Sequence, residues 1–271
     1  MVDDAVQRSS PFWGEHGLSF LIEMEGRRVL FDTGQSGTVL LHNLRLLGVA
    51  PETIDALAIS HAHYDHTGGL PALLEHLRPD TALYANTDLF RERFSVRENQ
   101  PRSIGLYLTR EELATRFALS LEARPQQIVP GLWTTGEILE RPEAEGKSDY
   151  HRMREGRVLV ADAYRDDMAL VLDWGDRLVL ICGCCHAGLL NTLAHVERTF
   201  KQPVVAIIGG LHLTGIDVAG LQRIGAVLAA KPALQQVYPN HCTGEAALVA
   251  LIQILGPSVV CPCPAGTVVE L

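Results

Sequence analysis

Apolar runs alternate with segments of helical periodicity along most of this chain. Near-continuous apolar runs at residues 168–173 and 178–183 predict a hairpin of strands that are buried on both faces. The other predicted strands cover residues 17–24, 29–32, 53–60, 81–84, 127–135, 204–208 and 236–238. Predicted helices cover residues 39–47, 69–77, 189–200, 216–230 and 245–255. This alternation indicates an α/β protein whose sheets are covered by helices.

One stretch, residues 88–157, departs from this alternation. Its segments RERF, TREEL and ATRF are rich in arginine and glutamate, and they predict exposed helical turns within residues 88–123. Residues 141–157 are polar and predict a mobile loop, which either presents cations to an anionic substrate or is an ordinary solvated loop. We therefore predict a single domain over residues 1–271, with a helical, charged insertion at about 88–157.

Candidate chemistry is concentrated in SHAHYDHTGGL, residues 60–70, which follows a short apolar run. Four ligand-type side chains occur within six residues: His61, His63, Asp65 and His66. A single histidine is usually a surface or a core residue, but imidazole and carboxylate grouped in this way are typical ligands of zinc and other first-row metals. One ion needs only three or four ligands, and more histidines follow downstream. The pattern therefore predicts two adjacent metal ions.

Three later predicted strands also end in a histidine beside turn glycines. These are His186 in GCCHAG, His212 in GGLHLTG and His241 in PNHCTG. Strand ends are where α/β proteins assemble their sites. We predict that His186 and His241 bind metal. For His212, contact with substrate or orientation of a ligand is favoured over binding metal itself.

Two residues near the start of the chain are further candidates. Asp32 ends a strand in FDTG, where an aspartate either caps the next helix or orients a ligand histidine by accepting its second N–H. His16 is either a surface histidine or part of the wall of a site.

Charge and composition limit the classes of partner. A net charge of −9 argues against a general nucleic-acid binder, although a local basic patch would override this. The longest apolar runs are too short to cross a membrane, and the polar, acidic first residues do not resemble a secretory signal. All six cysteines lie in the last third of the chain, which favours reduced thiols and a cytoplasmic location.

The motifs together resemble the metallo-β-lactamase superfamily, whose signature is HxHxDH. EHGLSFLIE, FDTG, SHAHYDHTGG, GCCHAG, GGLHL and NHCTG are similar to those of its 7,8-dihydropterin-6-yl-methyl-4-(β-D-ribofuranosyl)aminobenzene 5′-phosphate synthase-like branch. This resemblance implies a four-layer αββα sandwich, in which two mixed β-sheets are flanked by helices.

The resemblance also implies a ligand set. One metal is held by His61, His63 and His186, and the second by Asp65, His66 and His241. The chain departs from the common pattern at two places: PGLWTTG lacks a histidine, and Gly183-Cys184 stands where a bridging aspartate is usual. We expect His186 to replace the histidine and Cys184 to be a thiolate ligand or bridge, which would make the second site weaker or suited to a softer metal.

The function expected from this chemistry is metal-dependent hydrolysis. A metal-bound hydroxide would attack a small anionic ester or phosphodiester, with two divalent ions present, zinc first and manganese or iron as alternatives. Asp65 and His212 are the expected catalytic residues, His16 and His212 are expected to bind substrate, and Asp32 to orient a ligand. The partner is a small anionic or phosphorylated molecule, with no nucleic acid and no membrane, and a homodimer is an open expectation.

Other functions stay open. One alternative is a synthase that joins a pterin to an aminobenzene ribosyl phosphate. Another is a redox or iron–sulfur protein, in which four of the six cysteines hold a cluster, although CxC plus CPCP does not match a ferredoxin run. The six are Cys182, Cys184, Cys185, Cys242, Cys261 and Cys263. A third is a degraded, non-catalytic binding module. Serine hydrolase, P-loop and dinucleotide-binding motifs are absent from the sequence.

Overall fold

The computed structural model describes residues 1–271, which form fifteen β-strands and seven α-helices. The strands are β1 (Phe20–Met24), β2 (Arg27–Phe31), β3 (Ala56–Ala58), β4 (Thr81–Ala85), β5 (Arg93–Arg97), β6 (Gln100–Ser103), β7 (Phe117–Leu121), β8 (Gln127–Val129), β9 (Leu132–Thr134), β10 (His151–Glu155), β11 (Val158–Ala161), β12 (Leu170–Asp173), β13 (Leu178–Cys182), β14 (Val204–Gly210) and β15 (Gln236–Asn240). The helices are α1 (Gly37–Leu46), α2 (Tyr64–Thr67), α3 (Leu70–His76), α4 (Arg110–Ala114), α5 (Leu189–Phe200), α6 (Val218–Ala229) and α7 (Glu245–Leu255).

The chain divides into two compact units. Unit 1 contains Met1–Ala123, Ser148–Asp166 and Pro264–Leu271, and unit 2 contains Arg124–Lys147 and Asp167–Cys263. The single domain over residues 1–271 stays a prediction.

Unit 1 is built on a mixed five-stranded sheet in the order β1-β2-β3-β4-β7. β1 and β2 are antiparallel, and the other neighbours are parallel. Ser36 caps α1 by accepting the N–H of Val39, and the apolar face of this helix buries Leu40 and Leu44. These two leucines share one core with Leu57 of β3. The parallel strand β3 ends directly before the histidine-rich loop.

A second, antiparallel sheet in unit 1, in the order β11-β10-β5-β6, corrects the predicted helical insertion at 88–157. RERF leads into strand β5, ATRF leads into strand β7, and only Arg110–Ala114 is an α-helix there. Residues 141–157, predicted as a mobile loop, contain strand β10. Because β7 pairs with β4 and β10 pairs with β5, contacts between distant segments outweigh the local helical preference.

Unit 2 is built on a mixed six-stranded sheet in the order β15-β14-β13-β12-β9-β8. β13, β14 and β15 are parallel neighbours, so their carboxyl ends lie at the same edge of the sheet. Leu180, Ile207 and Val237 of these strands share a core with Leu193 of α5 and Leu228 of α6. This edge carries the later histidine motifs.

These observations confirm the predicted α/β class with two mixed sheets and accompanying helices. None of the helices combines the length and the apolar character that a membrane span requires.

Candidate metal centre

The HxHxDH segment of unit 1 lies between β3 and α3. Its four ligand-type side chains are all buried: His61, His63, Asp65 and His66. α2 is a single short turn that begins directly after His63, and it buries both Asp65 and His66. The structure therefore brings the four predicted ligands together within one loop and one helical turn.

His61 and His63 form the first pair of converging donors. Nε2 of His61 lies 3.0 Å from Nδ1 of His63, and the Ser60 hydroxyl lies 2.8 Å from Nδ1 of His61. Burial holds the pKa of His63 well below its usual range, against the opposing charge of Asp65, and this favours the neutral imidazole that a metal requires. Two nitrogens on one tetrahedral zinc, each 2.0–2.1 Å away, would be about 3.3 Å apart. The pair fits such an ion.

Asp65 and His66 form the second pair. Oδ2 of Asp65 lies 3.6 Å from Nε2 of His66, and Nδ1 of His66 donates to Oδ2 of Asp32 at 2.7 Å. Asp32 is fully buried, and it also accepts the N–H of Ser60 at 2.7 Å and the Ser60 hydroxyl at 2.6 Å. The bond to Asp32 places the proton of His66 on Nδ1 and leaves Nε2 as the acceptor that faces Asp65.

His16 reaches the same pair from an exposed position. Its Nε2 lies 3.4 Å from Oδ2 of Asp65, and its Nδ1 lies 2.9 Å from Oδ2 of Asp4. The predicted substrate-binding histidine therefore stands beside a predicted ligand. Asp4, which fixes its orientation, was not predicted.

Asp166 and Arg93 hold the ligand loop through buried hydrogen bonds. The sequence analysis did not predict a role for either residue. Oδ2 of Asp166 accepts the N–H of Ala62 at 2.8 Å, between the first two histidines. Oδ1 accepts from Nη2 of the buried Arg93 at 2.6 Å, and Arg93 also pairs with Asp88 and Asp162. The only signal in the sequence was the pair Asp166-Asp167, which shortly precedes the buried strand β12.

His151 also lies beside the loop. Its ring centroid is 5.0 Å from that of His63, and its Nδ1 lies 3.0 Å from the hydroxyl of Tyr164. His151 was counted only among the polar residues of a predicted loop. Its position in β10 follows from pairing with β5, which a local pattern does not show.

In unit 2, the candidate residues follow the carboxyl ends of β13, β14 and β15. His186 is buried, and its Nδ1 donates to the carbonyl of Gly146 at 2.9 Å. Its ring centroid lies 4.2 Å from that of His212. Ligand atoms of Cys184, His186 and His212 lie within 4.8 Å of one another, as do those of Cys184, His241 and Cys242.

Asp167, which begins the second segment of unit 2, holds the GCCHAG loop. Its Oδ2 accepts the N–H of Ala187 at 2.8 Å, directly after His186. Burial raises the pKa of Asp167 to about 6, although the hydrogen bond from Ala187 opposes this. Asp167 was also missed by the sequence analysis, and it fixes the backbone beside a predicted ligand as Asp166 does in unit 1.

Cys242 was expected only as a possible iron–sulfur ligand, and it interacts with residues predicted for the divalent metal site. Burial alone would raise the pKa of its thiol, but hydrogen bonds with Cys184 and His212 hold this pKa well below its usual range. Burial opposes protonation of His212, but the bond to Cys242 outweighs burial and raises the pKa of His212. By contrast, a hydrogen bond with Cys182, together with burial, raises the pKa of Cys185. The thiols of this edge are therefore not equivalent.

The C-terminal cysteines are the other candidates for a cluster. All six are free thiols, and Cys261 Sγ lies 3.9 Å from both Gln236 Oε1 and the carbonyl of Pro257. The iron–sulfur alternative stays a hypothesis.

Backbone conformation at this edge is unusual. His212 and His241 both have φ of 45°, in the left-handed region that few non-glycine residues adopt. In GGLHL, a Cβ at Gly209 would overlap the carbonyl of Cys182, and one at Gly210 would overlap the carbonyl of Gly183. The two glycines are required because the ends of β13 and β14 lie in close contact.

Comparison with known families assigns the segment that contains HxHxDH to a superfamily. A sequence profile of the metallo-beta-lactamase superfamily matches residues 13–165, more than half of the chain. The chain belongs to the metallo-beta-lactamase superfamily. The predicted resemblance to the superfamily and to its synthase-like branch is confirmed.

Similar superfamily proteins include a synthase and a hydrolase. The chain is 31% identical over 261 residues to the 7,8-dihydropterin-6-methyl-4-(beta-D-ribofuranosyl)-aminobenzene-5'-phosphate synthase of Methanocaldococcus jannaschii. The alignment covers 90% of this chain and 86% of the synthase. The crystal structure of Tm1679, a metal-dependent hydrolase of the beta-lactamase superfamily, matches with a TM-score of 0.83 at 26% identity, covering 100% of this chain and 96% of that one.

A shorter match involves a nuclease of the superfamily. Exodeoxyribonuclease WalJ of Streptococcus pneumoniae is 37% identical over 73 residues, which is 27% of this chain and 26% of that protein. The absence of a nucleic-acid partner, the homodimer and the cytoplasmic location therefore stay predictions.

Proposed function

We propose that this superfamily member is a metal-dependent hydrolase of a small anionic ester or phosphodiester. The observation that carries this proposal is the pair of converging donor sets within unit 1. One set is His61 with His63 at 3.0 Å, and the other is Asp65 with His66 at 3.6 Å. When bound, divalent ions supply Lewis-acid activation of water and of a phosphoryl or carbonyl oxygen.

The proposed ligands are those that the sequence resemblance implies. They are His61, His63, Asp65, His66, His186, His241 and Cys184. Their division between two ions rests on the sequence resemblance and stays a prediction. Zinc is the proposed metal, with manganese and iron as alternatives, because neutral imidazole and carboxylate suit all three ions.

Other residues have proposed roles around these ligands. Asp32 orients His66 by accepting its Nδ1–H, which fixes the ring and its tautomer. Asp65 is also proposed to orient the attacking water, and His212 and His16 to bind substrate or to stabilise the leaving oxygen.

The position of Arg102 favours the proposal that the substrate is anionic. Its guanidinium lies 5.7 Å over the ring of Tyr64, which is the residue between His63 and Asp65. Arg102 is exposed on β6, so its side chain is open to a ligand. An arginine fork pairs well with phosphate or carboxylate, and this favours a substrate with such a group.

The test is hydrolysis of chromogenic phosphodiesters and carboxylic esters by protein loaded with zinc, manganese or iron. We expect turnover that depends on metal, and a His61→Ala variant that falls to the background rate with reduced metal content. His76→Ala is the matched control, because His76 is exposed at the end of α3. Full metal content and full activity in His61→Ala would reject the proposal.

A synthase is the second candidate, and the 31% identity to the Methanocaldococcus jannaschii synthase favours it. The same loaded protein would be incubated with a pterin and an aminobenzene ribosyl phosphate. Condensation without turnover of any ester would replace hydrolysis with synthesis as the function.

A further inference from the structure

Two cysteine thiols meet at the carboxyl edge of the unit 2 sheet. Cys184 follows β13, and Cys242 follows β15. Their sulfur atoms and a ring nitrogen of His241 lie within 4.8 Å of one another. Sγ of Cys242 also lies 3.7 Å from the carbonyl oxygen of Cys184. Three soft or borderline donors from two strand ends therefore lie close together.

The local backbone is shaped around the Cys242 sulfur. The N–H of His212 donates to this sulfur at 3.3 Å, and a Cβ at Gly210 would stand 2.8 Å from it. His241, the residue before Cys242, has φ of 45°. Such a conformation is strained and persists only where surrounding contacts enforce it.

A second, independent observation comes from His212. Its Nδ1 is buried and makes no hydrogen bond. Its other contacts include the ring of His186 and the sulfur of Cys242. A buried polar atom without a hydrogen bond is costly and is often explained by a ligand or ion that occupies the site.

We propose that Cys184 and Cys242 form a thiolate pair that binds a soft or borderline divalent ion together with His241. Thiolate and imidazole donors select zinc and similar ions over magnesium or calcium. The inference rests on the proposed function in one respect, since His241 and Cys184 are ligands proposed there. It adds Cys242, which is not among the ligands proposed there, and it specifies the class of metal.

Cobalt substitution is the first test. Cobalt bound by thiolate gives an intense charge-transfer absorption in the near ultraviolet, which oxygen and nitrogen ligands do not give. We expect this band in the cobalt-loaded chain, a loss of about half its intensity in Cys184→Ala and in Cys242→Ala, and its disappearance in the double variant. Cys185→Ala is the matched control, because Cys185 is a buried neighbour of Cys184 whose thiol bonds to Cys182. Bound cobalt without the band, or a band that survives the double substitution, would overturn the proposal.

Alkylation of the unmodified protein is the second test, and it does not depend on the folding of a variant. Cys242 and Cys261 are both partly buried. Iodoacetamide labelling followed by peptide mapping should show that zinc slows labelling of Cys242 at least several-fold and leaves Cys261 unchanged. Equal rates with and without zinc would overturn the proposal.

The two tests separate this inference from the proposed function. Protection of Cys242 without any hydrolysis would reject the hydrolase and keep the thiolate pair. Metal-dependent hydrolysis with unprotected Cys242 would reject the thiolate pair alone.

Discussion

At the scale of the residue, Asp32 shows how one buried carboxylate organises a ligand. It accepts the Nδ1–H of His66 and both the N–H and the hydroxyl of Ser60. Its own backbone is left-handed, with φ of 58°, which aspartate tolerates better than most residues. The carboxylate therefore sets both the tautomer of His66 and the start of the ligand loop.

Replacing Asp32 with asparagine should weaken metal binding more than folding. The amide keeps one acceptor but loses the charge that holds His66, and changes of this kind typically lower metal affinity about 10–100-fold. Competition with a chromogenic chelator would measure the metal dissociation constant. Asp55→Asn is the control, because Asp55 is a carboxylate next to β3 that bonds to the N–H of Arg28. Unchanged affinity in Asp32→Asn would show that Asp32 does not support a ligand.

Arg93 is a second buried residue that stabilises the ligand loop without contacting a predicted ligand. Its guanidinium is fully buried and meets Asp88, Asp162 and Asp166 at 3.0, 3.1 and 2.6 Å. These carboxylates outweigh the effect of burial and raise the pKa of Arg93 above its ordinary value. Asp166 in turn holds the N–H of Ala62, so Arg93 supports the ligand loop through one intermediate.

Arg93→Met should destabilise the protein by about 3–5 kcal/mol, because it leaves buried carboxylates without their cation. Urea unfolding followed by circular dichroism would measure the free energy of unfolding. Arg154→Met serves as the control: Arg154 is a partly exposed arginine of the same sheet, paired with Glu92 at 2.7 Å, and its loss should cost at most about 1 kcal/mol. Equal losses in both variants would contradict the role of Arg93.

At the scale of the element, β14 shows why strand ends carry the candidate chemistry of unit 2. It is buried along its whole length, pairs in parallel with β13 and β15, and ends in Gly209-Gly210. Because all three strands run in the same direction, Cys184, His212 and His241 emerge at one edge. The two glycines allow the strand ends to approach closely enough for this.

Gly209→Ala should be more destabilising than Gly175→Ala. Gly175 lies in the turn between β12 and β13. Both glycines have positive φ, 118° and 88°, but only at Gly209 would the new methyl group overlap the backbone of Cys182. Alanine at Gly175 should cost about 1 kcal/mol from its left-handed conformation alone. Thermal unfolding of the two variants would compare them, and equal midpoints would show that the strand ends can move apart.

The elements also show what the sequence was able to predict. Buried runs such as those of β12, β13 and β14 were located because their apolar pattern is local and continuous. The prediction of a helical insertion was wrong, because β5 and β10 are strands. They are partly polar, and their pairing with each other, rather than a local pattern, specifies them. His61, His63, Asp65 and His66 were found because they are adjacent in sequence. Arg93 and Asp166 were missed because their partners lie far away in the chain.

At the scale of the whole molecule, metal binding should be linked to stability. Ligands at the ends of several strands are assembled only in the folded chain, so a metal binds the folded state in preference to the unfolded one. We therefore expect a bound ion to contribute to the free energy of unfolding of the entire protein.

Removal of metal by a chelator should lower the melting temperature, and added zinc should restore it progressively. A free zinc concentration 100 times the dissociation constant should stabilise the folded state by about 2.7 kcal/mol. Acidification should reduce this gain, because protons compete with metal for the histidines. Differential scanning calorimetry across zinc concentrations would measure the effect, and a melting temperature independent of zinc would contradict it.

The left-handed backbone of His212 and His241 also has an evolutionary consequence. Glycine, asparagine and aspartate accept this conformation with the least strain, so they are the substitutions that these positions tolerate most readily. Glycine or asparagine there would remove the imidazole while the turn kept its shape. A descendant of this chain could thus lose its reactivity and still superpose closely on its ancestor. Among such descendants, the side chains at these two turns would be a better record of retained chemistry than the path of the backbone.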